Sequence, residues 1–200
     1  SSGALQELGD LGQHGQRTQM TGIRCFGAVD LPEEMREKIG PLQSKIATEG
    51  LRLVRPELVH VTIKFLGDVP AEKVERVKKA LAAVRAAPFT ARLVGLGAFP
   101  GRSVRVVWLG LEGDFSQLSA EVQAATKSLG FHPEERGFTP HVTIGRVGRP
   151  NAGTSRELLA KIGLQSTVDL GSFTVEEFYL KKSTLTPGGP IYEDLAKFPL

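Results

Sequence analysis

The 200-residue sequence predicts an α/β or α+β domain built on mixed or antiparallel sheet. Three observations carry that expectation. Stretches with apolar residues at every second position alternate with stretches whose apolar residues recur every three or four, Pro and Gly punctuate the junctions, and no low-complexity linker divides the chain. The composition, 40% hydrophobic and 24% charged, is ordinary for a globular protein. No apolar run approaches the roughly 20 residues that span a bilayer, so no membrane association is expected.

Ile23 to Leu31 (IRCFGAVDL) reads as a mostly buried strand, after which Pro32, Glu33 and Glu34 open a helix as first turns prefer. Met35, Ile39, Leu42 and Ile46 give that helix one apolar face, with Pro41 expected to kink it and Gly50 to close the segment. Glu57 to Leu66 alternates and is rich in β-branched residues, predicting a strand that Gly67-Asp68 ends. A helix starting at Pro70 follows, with Val74, Val77, Leu81 and Val84 as its core stripe. Phe89 to Leu96 and Val104 to Leu111 read as strands joined through GAFPGR, and a third helix carries Leu118, Val122, Ala125 and Leu129 before Gly130. The remaining expectations are a strand from Thr139 to Val147, a short helix around Ser155 to Ile162, one long strand from Thr167 to Leu180, and a last strand around Ile191 to Ala196 after TPGGP.

Residues 1–19 are rich in Gly and Gln and lack both an apolar period and the hydrophobic stretch of a signal peptide. They are expected to be an extension or cloning remnant outside the core, leaving residues 20–200 as one domain. His14 lies there and is assigned no chemistry. The single cysteine, Cys25, allows no internal disulfide and fits a cytoplasmic protein. A formal charge of +3 and a pI near 9.1 suit a polyanionic ligand without demonstrating one.

Two of the four histidines sit in the same tetrapeptide, HVTI, at His60 to Ile63 and His141 to Ile144. Side chains alternate faces along a strand, so His60 shares a side with Thr62, and His141 with Thr143. The working unit is therefore H-x-T, with the Val and Ile as scaffold. The bland alternative is coincidence, since HVTI is a sensible strand sequence. Two imidazoles flanking one spot suit a reaction that removes one proton and delivers another, and threonine hydroxyls donate to anionic oxygens without titrating. Together they make a phosphoryl-transfer set without metal. A metal site competes poorly, because no carboxylate or Cys ligands stand at suitable spacing. Arg146 is five residues beyond His141, which by alternation puts it on the opposite face unless Gly145 introduces a bulge.

With both motifs and their flanks in view (FGAVDLP, LVRPELVHVTIKFLGDVP, GLGAFPGRSVRVVWLGL and RGFTPHVTIGRV), the sequence from about Ile23 onward resembles the 2H phosphoesterase superfamily. Within it, the resemblance is to the LigT/ThpR group of RNA 2′,3′-cyclic phosphodiesterases, also called 2′-5′ RNA ligases. It implies an α+β, bilobal fold of two pseudo-twofold-related lobes of mixed or antiparallel sheet, with outer helices and a central cleft. It further implies cofactor-free opening of an RNA 2′,3′-cyclic phosphate end to a 2′-phosphate by a monomer, with 2′-5′ ligation as the reverse. His141 would be the general base, His60 the general acid, and Thr62, Thr143 and Arg146 the phosphate ligands. Softer candidates for substrate contact are Lys64, which alternation puts on the His60 face, and Phe138, Arg136 and Lys181. Core packing is the simpler reading for Phe65 and Phe138, and an exposed structural role for Arg136 and Lys181. His132 is read as structural, and GLGAFPG as a near miss to a dinucleotide-binding motif. Two other readings stay open: a relative acting on another cyclic phosphate or a 2′-5′ oligonucleotide, and an RNA-end-binding module with vestigial chemistry.

Overall fold

A computed structural model describes residues 22–200 apart from Gly101, Glu134 and Arg136. The 1–19 extension, His14 and the candidate Arg136 thus lie outside the described residues. Along the chain run β1 (Ile23–Asp30), α1 (Glu33–Ile46), β2 (Leu51–Leu53), a 3-10 turn (Pro56–Leu58), β3 (His60–Val69), α2 (Ala71–Ala82), β4 (Phe89–Phe99) and β5 (Val106–Glu112). Then follow α3 (Phe115–Lys127), β6 (His141–Val147), α4 (Ala152–Leu164), β7 (Asp169–Val175), β8 (Glu177–Thr186) and β9 (Gly189–Pro199).

One sheet runs in the order β7-β4-β5-β6-β3-β1-β8-β9, with β2 added on β6, and every pairing in it is antiparallel. The two motif strands, β3 and β6, lie at its centre, each flanked outward by three further strands. This is the two-lobed α+β arrangement expected, resolved to antiparallel pairing alone. The helices do not stay with their own halves. Helix α1 follows β1 yet packs on α4, β6 and β7, while α3 follows β5 yet packs on α2 and β3. Each lobe therefore buries its sheet under a helix supplied by the other.

The apolar stripes behave as their spacing requires. Met35, Ile39, Leu42 and Ile46 of α1, and Val74, Val77 and Leu81 of α2, are buried in one core with Val61, Ile63, Val142 and Ile144 from the central strands. Pro41 lies inside α1 without ending it.

Three expectations are corrected. The segment after Pro56 turns before it extends, so β3 starts at His60, and it runs through Gly67 (φ +71°) to Val69 because that glycine takes up a ladder irregularity opposite Cys25. The long strand expected from Thr167 to Leu180 is two strands broken at Glu176. β7 pairs with β4 in one lobe, whereas β8 pairs with β1 and β9 in the other, and the Glu176 carbonyl is taken by the Leu200 N–H at 2.8 Å. The chain crosses between lobes there. Finally, β2 was not anticipated, being only three residues long.

Candidate active site

The strands β3 and β6 meet through the antiparallel pair Val61 and Val142. An antiparallel register advances one strand as the other retreats, so His60 lies across from Thr143 and Thr62 across from His141. Val61 and Val142 are fully buried in the core, and the four motif side chains, each half-buried, occupy the opposite face. Sequence alternation thus brings both H-x-T units to one spot.

Both strands then break alternation at the same place. Against β1, the partners run Phe26 with Phe65, Gly27 with Lys64 and Ala28 with Thr62, leaving Ile63 unopposed. Against β5, they run Val106 with Arg146, Val107 with Gly145 and Trp108 with Thr143, leaving Ile144 unopposed. Each is a β-bulge, an extra residue that shifts every later side chain by one. Consequently Ile63 and Lys64 both face the core, as do Ile144 and Gly145, and the fifth residue after each histidine turns outward. The bulge anticipated near Gly145 is present, and it puts Arg146 on the His141 face.

Helix positions that correspond in α1 and α3 support the two bulges. Gln43 follows buried Leu42, and Gln123 follows buried Val122. Gln43 Nε2 donates to the Ile144 carbonyl at 3.0 Å and to the Val54 carbonyl at 2.6 Å, and the Val54 N–H adds a further bond to Ile144. Gln123 Oε1 accepts from Lys64 Nζ, which also donates to the His132 carbonyl at 3.0 Å. Lys64 is 3% exposed. Its expected place beside His60 is therefore wrong, because the bulge at Ile63 sends it under the sheet toward α3. His132 contributes its backbone there, in line with a structural reading.

The imidazoles are oriented alike. His60 Nδ1–H donates to the Leu58 carbonyl at 2.9 Å, and His141 Nδ1–H to the Thr139 carbonyl at 2.8 Å. A carbonyl only accepts, so Nδ1 carries the proton and Nε2 is left for chemistry. Thr62 Oγ1–H donates to His60 Nε2 at 3.1 Å. Around His60 stand Phe26 (ring centroids 4.9 Å) and, edge-on, Tyr192 (5.1 Å). Burial pushes the His60 pKa down, the Leu58 carbonyl pulls it up, Lys181 lowers it, Asp30 raises it and Arg36 lowers it. Burial raises the Tyr192 hydroxyl pKa, against the positive charges of Arg146, Arg24 and Lys181.

Lys181 is 7% exposed, held by Asp194 at 2.6 Å and Asp30 at 3.0 Å. The exposed role expected of it is overturned; it is the buried centre of an ion triad whose Asp30 faces His60 across the β1–β3 ladder. Phe138 packs, partly buried, against the core. Phe65, expected in the core, is 57% exposed with its ring 6.1 Å from Phe26. On the other lobe Phe99 is 42% exposed, stacks at 5.2 Å on Trp108 and meets His141 edge-on at 5.8 Å. Gly97 lacks a side chain where a Cβ would overlap the Trp108 ring. Among the described residues no group of three or more His, Cys, Asp and Glu side chains could hold a metal ion.

The model of the LigT-like phosphoesterase family matches residues 29–108 and 110–192, one H-x-T strand in each segment. The chain belongs to the LigT-like phosphoesterase family. Its similar relatives include the RNA 2′,3′-cyclic phosphodiesterases of Archaeoglobus fulgidus, 39% identical over 180 residues (88% of this chain, 99% of that one), and of Methanothermobacter thermautotrophicus, 40% identical over 186 residues (89% and 99%). Among solved structures, TT0787 of Thermus thermophilus superposes with TM-score 0.75 at 33% identity, covering 89% of this chain and 98% of that one. E. coli LigT complexed with 3′-AMP gives 0.72 at 28%, covering 90% and 98%.

For a LigT-like phosphoesterase, the residues that sequence reasoning missed at the cleft are Phe65, Phe99, Tyr192, Asp30 and Arg52. Phe65 was hidden by the bulge. The others carry no local signal: β1 and β2 pair directly with the motif strands, while Phe99 and Tyr192 reach the histidines from β4 and β9, which lie further out in the sheet. No helix among the described residues is long and apolar enough to cross a membrane.

Proposed function

We propose that this LigT-like phosphoesterase hydrolyses RNA 2′,3′-cyclic phosphate ends to 2′-phosphomonoesters without a metal, and can run the reverse 2′-5′ ligation. The observation that carries the reading is the cross-strand square of His60, Thr143, Thr62 and His141, with both Nδ1 atoms held by backbone carbonyls. The relatives' activity, RNA 2′,3′-cyclic phosphate hydrolysis, agrees with it.

In the hydrolytic direction His141 Nε2 takes a proton from water as its oxygen bonds phosphorus. The P–O3′ bond breaks, and His60 delivers its proton to the departing 3′ oxygen. Thr62, Thr143 and Arg146 hold the non-bridging oxygens as negative charge builds on them. In the free enzyme burial keeps His60 below the ordinary imidazole range, so its acid role requires the arriving phosphate anion to raise it. Exposed Phe65 and Phe99 flank the motifs as surfaces on which a base can stack. The motifs come from a single chain, which supports a monomeric unit of residues 20–200, and the lone, buried Cys25 suits a cytoplasmic setting.

The test is purified protein in EDTA with an oligoribonucleotide ending in a 2′,3′-cyclic phosphate. A 2′-phosphate product is expected. Failure to open the ring refutes the reading, and a 3′-phosphate product reverses the histidine assignments.

A further inference from the structure

Arg52 and Arg146 are direct partners in the β2–β6 ladder. Paired residues of adjacent strands share a face, and the strands lie about 4.8 Å apart. Two guanidinium groups therefore project side by side from the cleft face, both exposed. Neither has a carboxylate partner among the described residues, whereas Arg55 and Arg92, for example, each have one. Like charges directly opposite one another weaken a strand pair, and β2 has only three residues with which to offset that.

The strand is nonetheless seated closely. A Cβ on Gly145 would stand 2.8 Å from Leu51 Cδ1, so Leu51 packs directly over the glycine of the bulge. The Arg52 guanidinium extends along β6 to Gly148, where a Cβ would stand 3.6 Å from Nη2. Along β6 the groups thus succeed one another from His141 and Thr143 to Arg146, and then to Arg52 beside Gly148. Neither charge has a counter-ion; Arg146 adjoins the reacting spot and Arg52 extends away from it along β6, which leaves room for an anion beyond the one that the H-x-T motifs hold.

We infer that Arg52 binds the phosphodiester that joins the terminal nucleotide to the rest of the strand, so that the site selects a polynucleotide end over a cyclic mononucleotide. This rests on the cyclic phosphodiesterase reading. Arg146 then faces the terminal phosphate on one side and, with Arg52, the neighbouring phosphodiester on the other. An arginine is suited to this because its planar fork binds a phosphate through two parallel N–H bonds.

The experiment compares wild type with Arg52→Glu and Arg52→Lys on two substrates, a nucleoside 2′,3′-cyclic monophosphate and a short oligoribonucleotide with the same terminus, from low to high salt. In Arg52→Glu the ratio of kcat/KM for oligonucleotide to that for mononucleotide is expected to fall about tenfold or more, with Arg52→Lys intermediate. The slope of log(kcat/KM) for the oligonucleotide against log[salt] should flatten by about 0.7, one single-strand phosphate contact. Thermal melting adds a readout that separates this from a structural role: relieving the opposed charges should raise Tm, whereas losing a structural contact should lower it. An unchanged ratio, or equal losses on both substrates, overturns the inference. If wild type opens neither substrate, the proposed reaction fails, and the same ratio measured as binding of the 2′-phosphorylated mononucleotide and oligonucleotide still decides the Arg52 subsite.

Discussion

Phe65 and Arg146 occupy corresponding places in the two lobes, each five residues after a motif histidine and each turned outward by a bulge at the isoleucine that ends HVTI. The backbone is nearly symmetric, but the side chains delivered are an aromatic ring on the His60 side and a guanidinium on the His141 side. A symmetric pair of imidazoles is thereby given unequal neighbours. That inequality is what a base and an acid in one reaction require.

The paired imidazoles make the first prediction. His60→Ala and His141→Ala should each lower kcat/KM for a cyclic phosphate by about 10²- to 10⁴-fold. The double variant should lose little more than the worse single one, since the two act in one step and such effects are not additive. Steady-state rates in EDTA check this. A double variant that retains the wild-type rate would place the chemistry elsewhere.

Phe65 makes the second. Because its ring is 57% exposed, Phe65→Ala should change stability by about 0.5 kcal/mol or less. If a base stacks there, at about 1–3 kcal/mol per base, KM for an oligonucleotide end rises about tenfold while kcat holds. Urea titration and initial rates separate the two effects. A large stability loss with unchanged KM would return Phe65 to a packing role.

How much of this was legible in the sequence depends on the length over which a periodicity runs unbroken. The stripe of α1 and the H-x-T alternation were readable because each stays within a single regular element, whereas Val84 and Leu129, counted into the stripes of α2 and α3, fall beyond the ends of those helices. Lys64 and Phe65 were assigned to each other's faces, since counting by twos fails beyond an inserted residue and Ile63 looks like any strand residue. Glu176 gives no Gly or Pro signal, so the crossing from β7 to β8 depends on which partners each half of the segment finds. Arg52 was invisible for the same reason: a three-residue strand has no period, and its meaning comes entirely from lying opposite Arg146.

The bulge on β6 makes the third prediction. Gln43→Leu removes the side-chain donor to the Val54 and Ile144 carbonyls; Ile144 still accepts from the Val54 N–H, so the Val54 carbonyl is the one left short. Leaving a carbonyl unpaired costs about 1–3 kcal/mol, to be read from urea unfolding. If the bulge is what aims Arg146, kcat should also fall, by about tenfold, in protein that is still folded. A variant that is less stable but has wild-type kcat would show that the bulge holds its shape without Gln43.

The ion triad beside His60 makes the last prediction. Lys181 sits between Asp30 and Asp194, and its charge works against protonation of His60. The other groups bearing on that ring are the Leu58 carbonyl, Thr62, Phe26, Tyr192, Asp30 and Arg36. Of these, Asp30 favours the imidazolium and Arg36 opposes it. Lys181→Gln removes a positive charge and leaves Asp30 compensated only by Arg36, at 3.9 Å. Both changes stabilise the charged imidazole, so the His60 pKa should rise in an NMR titration of its ring protons. Because kcat/KM reports the free enzyme, where burial holds His60 down, one limb of its pH profile breaks at this ring and moves to higher pH with it whichever role His60 has. The height of the profile assigns the role. An acid held low is mostly unprotonated near neutral pH, so raising its pKa should raise kcat/KM there, whereas raising the pKa of a base depletes its active form and should lower kcat/KM on the acid side.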